Sequence, residues 1–140
     1  MPEFSAQTPL EQFDFAVRAG DAERTRAILA ADAGVRAQID APRFDFDSPA
    51  IHQAKKHLPL VDVLLEYGAD INARTSWWAG SFGILESSLT LAEAQPLLAR
   101  GATLTPWAAA MFGMLTELKA MIAADPRLIA PRRRRQDAAA

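Results

Sequence analysis

The stretch that decides the fold covers residues 48–74 and reads SPAIHQAKKHLPLVDVLLEYGADINAR. Its first part has the form of a helix start. Ser48 is a good N-cap residue, because its hydroxyl can accept an otherwise unpaired backbone N–H, and Pro49 loses no hydrogen bond at the first helical position. We therefore predict a short helix that continues through Lys56.

The second part of the stretch predicts another helix and its end. Pro59 opens this helix, and its apolar residues recur every three to four positions, at Leu60, Val61, Leu64 and Leu65. Gly68 ends it, because a residue with positive φ is favoured just past a helix terminus. The predicted unit is a helix, a tight turn, a second helix and an extended arm.

Part of this unit is repeated along the chain. The pattern Leu64-Leu65-x-x-Gly68-Ala69 recurs 33 residues later as Leu97-Leu98-x-x-Gly101-Ala102. Weaker copies flank the pair at residues 16–29 and 109–122, where a glycine precedes an apolar pair at one shared spacing. We therefore predict four helical hairpins, over residues 8–35, 44–74, 75–104 and 105–130.

The stretch resembles an ankyrin repeat. Ser48-Pro49, His52 and Ala54 approximate the T-P-L-H-x-A opening of that family, residues 61–73 follow its second helix and arm, and 33 residues is its period. The resemblance covers about residues 10–125. It implies an all-α fold, an ankyrin-type α-solenoid of stacked helix-turn-helix repeats with short hairpin loops. It would form a single domain over residues 1–130, followed by a disordered, basic and alanine-rich tail over 131–140.

Local signals place the other predicted elements. Thr8-Pro9-Leu10-Glu11 and Thr90-Leu91-Ala92-Glu93 are capping boxes that open helices. Gly20-Asp21 is predicted to turn the chain into a helix over residues 22–31, followed by a long connector over 33–47. We further predict short helices over 82–87 and 107–112 and a last helix over 114–124. The extended hairpin loop that joins successive ankyrin repeats, called the finger, is predicted to be missing between Gly101 and Thr105.

Composition sets broad limits on function. The chain has 140 residues, of which half are apolar, with a formal net charge of −2 and no cysteine. Disulfides and thiolate chemistry are therefore excluded, and the charge does not favour nucleic acid. The first residues lack the basic start and apolar run of a secretory signal, and no apolar stretch could cross a bilayer. We expect a cytoplasmic protein that does not bind membranes.

No catalytic signature is visible in the sequence. The chain has no nucleophile elbow, P-loop, zincin motif or dinucleotide fingerprint. His52 and His57 are its only histidines, and no nearby carboxylate has helical spacing to both of them. We therefore expect no enzymatic activity, no cofactor and no metal site; an enzyme of unfamiliar type would depend on the histidine pair alone.

The resemblance implies a protein–protein interaction module that binds an unidentified protein partner through its concave face and loop tips. Position by position, the partner-binding candidates are Trp77, Trp78, Phe44, Phe46, Lys55, Lys56 and His57. Adjacent tryptophans at a loop tip suit an interface, where tryptophan is enriched. We predict, however, that at least one of the two rings packs on the neighbouring arm, against Phe44 or Phe46, and leaves its neighbour half exposed.

Two other functions stay open from the sequence. The last hairpin offers apolar residues where a terminal repeat normally has a polar face, which would suit a homodimer or a truncated array: Trp107, Met111, Phe112, Met114 and Leu118. The run Arg132 to Arg135 could bind a polyanion weakly.

Overall fold

The structure, a computed structural model, describes residues 7–87 and 89–129. Within these residues the chain has eight α-helices, two short 3₁₀ helices and no strand, which confirms the all-α class. The chain forms two compact units, residues 1–103 and residues 104–140. Their boundary falls where the sequence predicts that a finger is missing.

The first unit holds most of the helices. They are α1 (Pro9–Arg18), α2 (Ala22–Ala31), α3 (Ala33–Ala37), α4 (Ala50–Gln53), α5 (Leu58–Glu66), a 3₁₀ helix (Ile84–Glu86) and α6 (Leu91–Ala99). The second unit contains α7 (Pro106–Met111), α8 (Leu115–Ala124) and a 3₁₀ helix (Pro126–Ile129).

The predicted starts of α1 and α6 and the predicted end of α5 are confirmed. The Thr8 hydroxyl accepts the Glu11 backbone N–H at 3.1 Å, and the Glu11 carboxylate accepts the Thr8 N–H at 3.2 Å. The same reciprocal pair opens α6 at Thr90 and Glu93. Gly68 follows α5 with a φ of +97°, a conformation that glycine adopts without the steric penalty of a Cβ.

The predicted start of α4 is wrong by one residue. Pro49 is the N-cap of this helix and has no side-chain capping bond. Ser48 instead pairs its backbone with Phe44, through hydrogen bonds of 3.0 and 3.3 Å between their N–H and C=O groups. The helix also ends at Gln53 and not at Lys56, because the intervening residues form the turn that leads into α5.

Two other segments differ from prediction for local reasons. The predicted connector over 33–47 contains α3, which begins because the Asp32 carboxylate accepts the Val35 N–H at 2.9 Å. The predicted helix over 82–87 shrinks to a single 3₁₀ turn. There Gly83 has low helix propensity, and the Ser87 hydroxyl donates to the Ile84 carbonyl oxygen at 3.1 Å, a side-chain bond that competes with helix extension.

In the first unit, the helices of the first two hairpins are in contact. Helix α1 contacts α2 within the first hairpin and α4 of the second, while α2 contacts α5. The largest fully buried side chains come from all three hairpins of this unit, and they include Phe13, Leu29, Ile51, Leu60, Leu64, Ile84, Leu85 and Leu97. Burying each aliphatic side chain contributes about 1.5–3 kcal/mol before entropy is counted.

Two places in the first unit share the same kind of hydrogen bond, from a backbone N–H to a side-chain oxygen. The Asp40 carboxylate accepts the Asp70 backbone N–H at 3.1 Å, and the Asn72 side-chain oxygen accepts the Thr103 N–H at 2.7 Å. Asp70 and Thr103 are each the second residue after a glycine that ends a helix. The side-chain amide of Asn72 also donates to the Gly101 carbonyl oxygen at 3.1 Å.

In the second unit, α7 contacts α8. The Thr105 hydroxyl caps α7 by accepting the Ala108 N–H at 3.2 Å, and Ala108 and Ala109 are buried. Neither unit has, in the part of the chain that the structure describes, a helix of the length and apolar character needed to cross a membrane.

Candidate functional site

Two adjacent loops in the first unit frame the candidate site. The first loop, residues 44–48, is closed by the paired backbones of Phe44 and Ser48. Phe46 and Asp47 at its tip have φ angles of +61° and +52°, in the left-handed region that bulky residues rarely adopt. Such strained tips are typical of positions at which a side chain is presented for a function.

The second loop, residues 75–82, is a hairpin turn that carries the tryptophan pair. The Thr75 N–H donates to the Phe82 carbonyl oxygen, and the Phe82 N–H donates to the Thr75 hydroxyl, both at 3.0 Å. The Ser76 N–H donates to the Asp47 carbonyl oxygen at 2.8 Å. The two loops therefore lie side by side, and this backbone hydrogen bond connects them.

Aromatic rings fill the space between the loops. Phe46 lies edge-to-face against Trp77 at 5.0 Å between ring centroids and against Phe82 at 6.3 Å. Trp78 lies 6.1 Å from Trp77 and is 89 % exposed. The prediction that one tryptophan packs on the neighbouring loop is thus confirmed for Trp77 on Phe46, while its neighbour projects into solvent.

Three of these rings, but not that of Trp78, line a cleft of about 410 Å³. On the apolar side are Phe46, Trp77 and Phe82, and on the polar side are residues that include His52, Lys55 and Ser87. An apolar surface with a few converging polar groups is the common composition of a binding site.

Lys55 is the cation of the cleft. Its Nζ donates to the Ser87 hydroxyl at 2.8 Å. Burial lowers the pKa of Lys55, and the charge of Lys56 lowers it further, against the opposing effect of Glu93. The two carboxylates that line the cleft lie near arginines: Asp45 is 3.6 Å from Arg18, and Glu86 is 3.1 Å from Arg74.

His52 has a structural position at the base of this site. Its Nε2 lies 2.7 Å from the Ala73 carbonyl oxygen, which can only accept, so Nε2 carries the proton and Nδ1 is an acceptor. Burial lowers the pKa of His52, and the positive charges of Lys55 and Arg74 lower it further. The neutral ring therefore holds α4 to the following arm.

The other sequence-predicted site residues lie away from the cleft. Phe44 is only 5 % exposed, and the guanidinium of Arg18 stacks 4.9 Å from its ring centre. Its ring is therefore buried inside the unit. Lys56 lies 3.8 Å from Glu93, and His57 is an exposed residue next to Gly20.

Sequence reasoning missed Phe82 and Ser87 as members of the site. A signal for Phe82 was present in the sequence, because Phe82 lies 33 residues after Pro49, which precedes the first helix of the second hairpin. Ser87 carried no such signal, since its contact with Lys55 depends on how two hairpins pack.

Metal-ligating groups do not cluster in the described ranges 7–87 and 89–129, where no three histidine or acidic side chains come together. No protein-family model matches the chain, and no curated protein sequence is significantly similar to it. What the site offers chemically is an apolar aromatic surface next to one half-buried ammonium group.

Proposed function

We propose that the chain is an ankyrin-type repeat protein whose first three hairpins stack side by side as a short solenoid. The 33-residue spacing, the contacts of α1 with α4 and of α2 with α5, and the repeated arm contact made by Asp40 and Asn72 support this proposal. Residues 105–130 stay predicted as the fourth repeat.

Within that proposal, the protein is an interaction module that binds a protein partner at the cleft and the two loop tips, without catalysis. The observation that carries this function is the exposed ring of Trp78 at 89 % exposure, beside the aromatic cluster of Phe46, Trp77 and Phe82. A solvated tryptophan beside packed rings is the residue type that contributes most at protein interfaces.

Affinity capture with the immobilised full chain tests the function. The wild type is compared with Trp78→Ser and with the matched control Trp107→Ser, which removes another exposed tryptophan in the second unit. We expect a protein retained by the wild type and by the control but lost with Trp78→Ser. Retention that is equal for all three proteins, or absent from all three, would contradict the proposal.

Self-association is the second candidate function. Trp107, Met111 and Leu115 of the second unit are 66 %, 46 % and 60 % exposed, and an exposed cluster of large apolar side chains favours an interface. Light scattering after size exclusion separates the candidates. A dimer that becomes a monomer with Trp107→Ser supports self-association, and a concentration-independent monomer excludes it.

Polyanion binding is the minor alternative, and its basis, Arg132 to Arg135, lies outside the described residues. Salt-dependent retention on duplex DNA that disappears when residues 132–140 are deleted would support it; no retention ends it. A cytoplasmic location likewise stays a prediction.

A further inference from the structure

Lys55 has fewer strong partners than the other charged groups of the cleft. Its ammonium group has three N–H donors, and among the described residues it forms a hydrogen bond to a neutral hydroxyl, Ser87 Oγ, but no ion pair. The carboxylates of Asp45 and Glu86 each lie within ion-pair distance of an arginine. The cleft therefore contains one ammonium group that forms no ion pair within 4.0 Å among the described residues, although the charge of Glu93 attracts it from further away.

That charge is unfavourable as it stands and is well placed for a ligand. The Lys55 side chain is partly buried, and a charge held partly away from water is stabilised strongly by an anionic hydrogen-bond acceptor. The aromatic surface of Phe46, Trp77 and Phe82 lines the same cleft. A ligand that satisfied both features would carry a single negative charge next to an apolar group.

We propose that the cleft binds an acidic peptide segment of the protein partner, with an Asp or Glu carboxylate on Lys55 Nζ and a neighbouring apolar side chain against Trp77 and Phe82. This inference deepens the proposed interaction function and depends on it. The acid accepts from the lysine N–H groups that Ser87 leaves unused, and the apolar neighbour covers the aromatic rings.

Charge at the rim favours a single carboxylate over a chain of phosphates. Asp45 and Asp47 at the tip of the first loop are exposed, and they would repel a strand that carries one charge at every residue. A peptide places its acid at one position and passes neutral groups over the rest of the rim. The exposed aspartates therefore repel a peptide with a single acid less than they repel a polyphosphate strand, and Lys55 supplies the attraction for that acid.

The test uses a phage-displayed library of random decapeptides selected on the immobilised full chain. Selected peptides are then synthesised, and their Kd values are measured by fluorescence polarisation against the wild type, Lys55→Met and Lys56→Met. Lys56 is the matched control, because it is the adjacent lysine but lies beside Glu93. Circular dichroism of each variant verifies that it is folded.

We expect the selected peptides to share an acid beside an aromatic or aliphatic residue. Lys55→Met should weaken binding about tenfold or more, since a hydrogen bond to a charged group contributes roughly 1.5–3 kcal/mol. Lys56→Met should leave the Kd within about twofold. Replacing the peptide acid by its amide should raise the Kd for the wild type by the same factor as Lys55→Met does. For Lys55→Met itself, the amide peptide should bind as well as the acidic one.

Other outcomes separate the two proposals. Selected peptides that lack an acid, or that bind Lys55→Met as tightly as the wild type but lose affinity with Trp78→Ser, would overturn the acidic-peptide inference and leave the interaction function standing. If no peptide were enriched, or if neither Lys55→Met nor Trp78→Ser weakened binding, both the acidic-peptide inference and the interaction function would be contradicted.

Discussion

Asp40 and Asn72 make the same kind of contact at two places in the first unit. Each follows a buried isoleucine, and each accepts the backbone N–H of the second residue after a helix-ending glycine, at 3.1 Å for Asp40 and 2.7 Å for Asn72. The first unit therefore uses one kind of side-chain-to-backbone contact twice. The two residues differ in charge, which leads to opposite predictions for their replacement.

Replacing Asn72 should destabilise the first unit. Asn72→Ala removes the acceptor of the Thr103 N–H and the donor to the Gly101 carbonyl oxygen. Since both bonds are exposed and water can replace them in part, we expect a loss of about 1 kcal/mol in the free energy of unfolding. Urea denaturation measures it, with exposed Gln95→Ala in α6 as the control. Equal stability of the two variants would argue against a joining role for Asn72.

Replacing Asp40 by Asn should stabilise the protein at neutral pH. Burial raises the pKa of Asp40, and the charge of Asp70 raises it further, against the lowering effect of the Asp70 N–H. A carboxyl whose pKa is raised by folding stabilises the fold below its unfolded pKa, and this contribution is lost as the pH rises through the folded pKa.

At pH 7 the ionised carboxylate of Asp40 therefore costs stability, and Asp40→Asn removes the charge while keeping the acceptor. Solvent screening of this partly exposed group limits the expected gain to about 0.5 kcal/mol. Thermal unfolding at pH 7 and again below pH 3.8, the ordinary aspartate value, checks the sign. If the stability gain of Asp40→Asn over the wild type were larger below pH 3.8 than at pH 7, the prediction would be contradicted.

His52 should make the stability depend on pH. Burial first, and then the charges of Lys55 and Arg74, lower its pKa from 6.5. Because the unfolded chain then binds a proton more readily than the fold does, stability should fall as the pH drops below about 6.5, by at most about 1.4 kcal/mol per pH unit.

His52→Gln tests this dependence. The glutamine amide keeps a donor for the Ala73 carbonyl oxygen but does not titrate, so we expect the loss of stability between pH 6.5 and pH 5 to become shallower. His57→Gln, at an exposed neighbouring position, is the matched control. If the pH dependence persisted in His52→Gln and disappeared in His57→Gln, His57 would be its source and the prediction for His52 would be wrong.

Phe46 should matter for binding more than for folding. Its φ of +61° suits glycine, so Phe46→Gly keeps the loop conformation and removes a ring that is 56 % exposed. We expect the stability to change by no more than about 1 kcal/mol, as the backbone relief offsets the lost ring contacts. The Kd for a captured partner or selected peptide should rise about tenfold.

Phe15→Ala is the control for Phe46, because it removes a phenylalanine ring of similar exposure, 61 %, from α1. Isothermal titration calorimetry with each variant gives the two Kd values. An equal effect of both variants, or no effect of Phe46→Gly, would place the interface elsewhere.

The sequence was informative where the interactions are local. Thr8 and Thr90 begin helices with a partner three residues away, and Gly68 and Gly101 end helices through their own φ angles. These features depend on the nearest turn of chain alone, whereas the all-α class was implied by the resemblance to ankyrin repeats.

What depends on packing between hairpins could not be predicted. Phe44 and Phe46 are two residues apart and chemically identical, but Phe44 is buried beneath the guanidinium groups of Arg18 and Arg43 whereas Phe46 is 56 % exposed. Lys55 and Lys56 are likewise adjacent and chemically alike. They differ because one meets Ser87 of the following hairpin and the other lies beside Glu93.

Hydrogen–deuterium exchange of the full chain, with and without a captured partner or selected peptide, tests most directly that the cleft between the two loops is the binding surface. Binding should slow amide exchange in residues 44–55 and 75–87 and leave residues 105–124 unchanged. Slower exchange confined to residues 105–124, or no change in either loop at saturating ligand, would contradict the account.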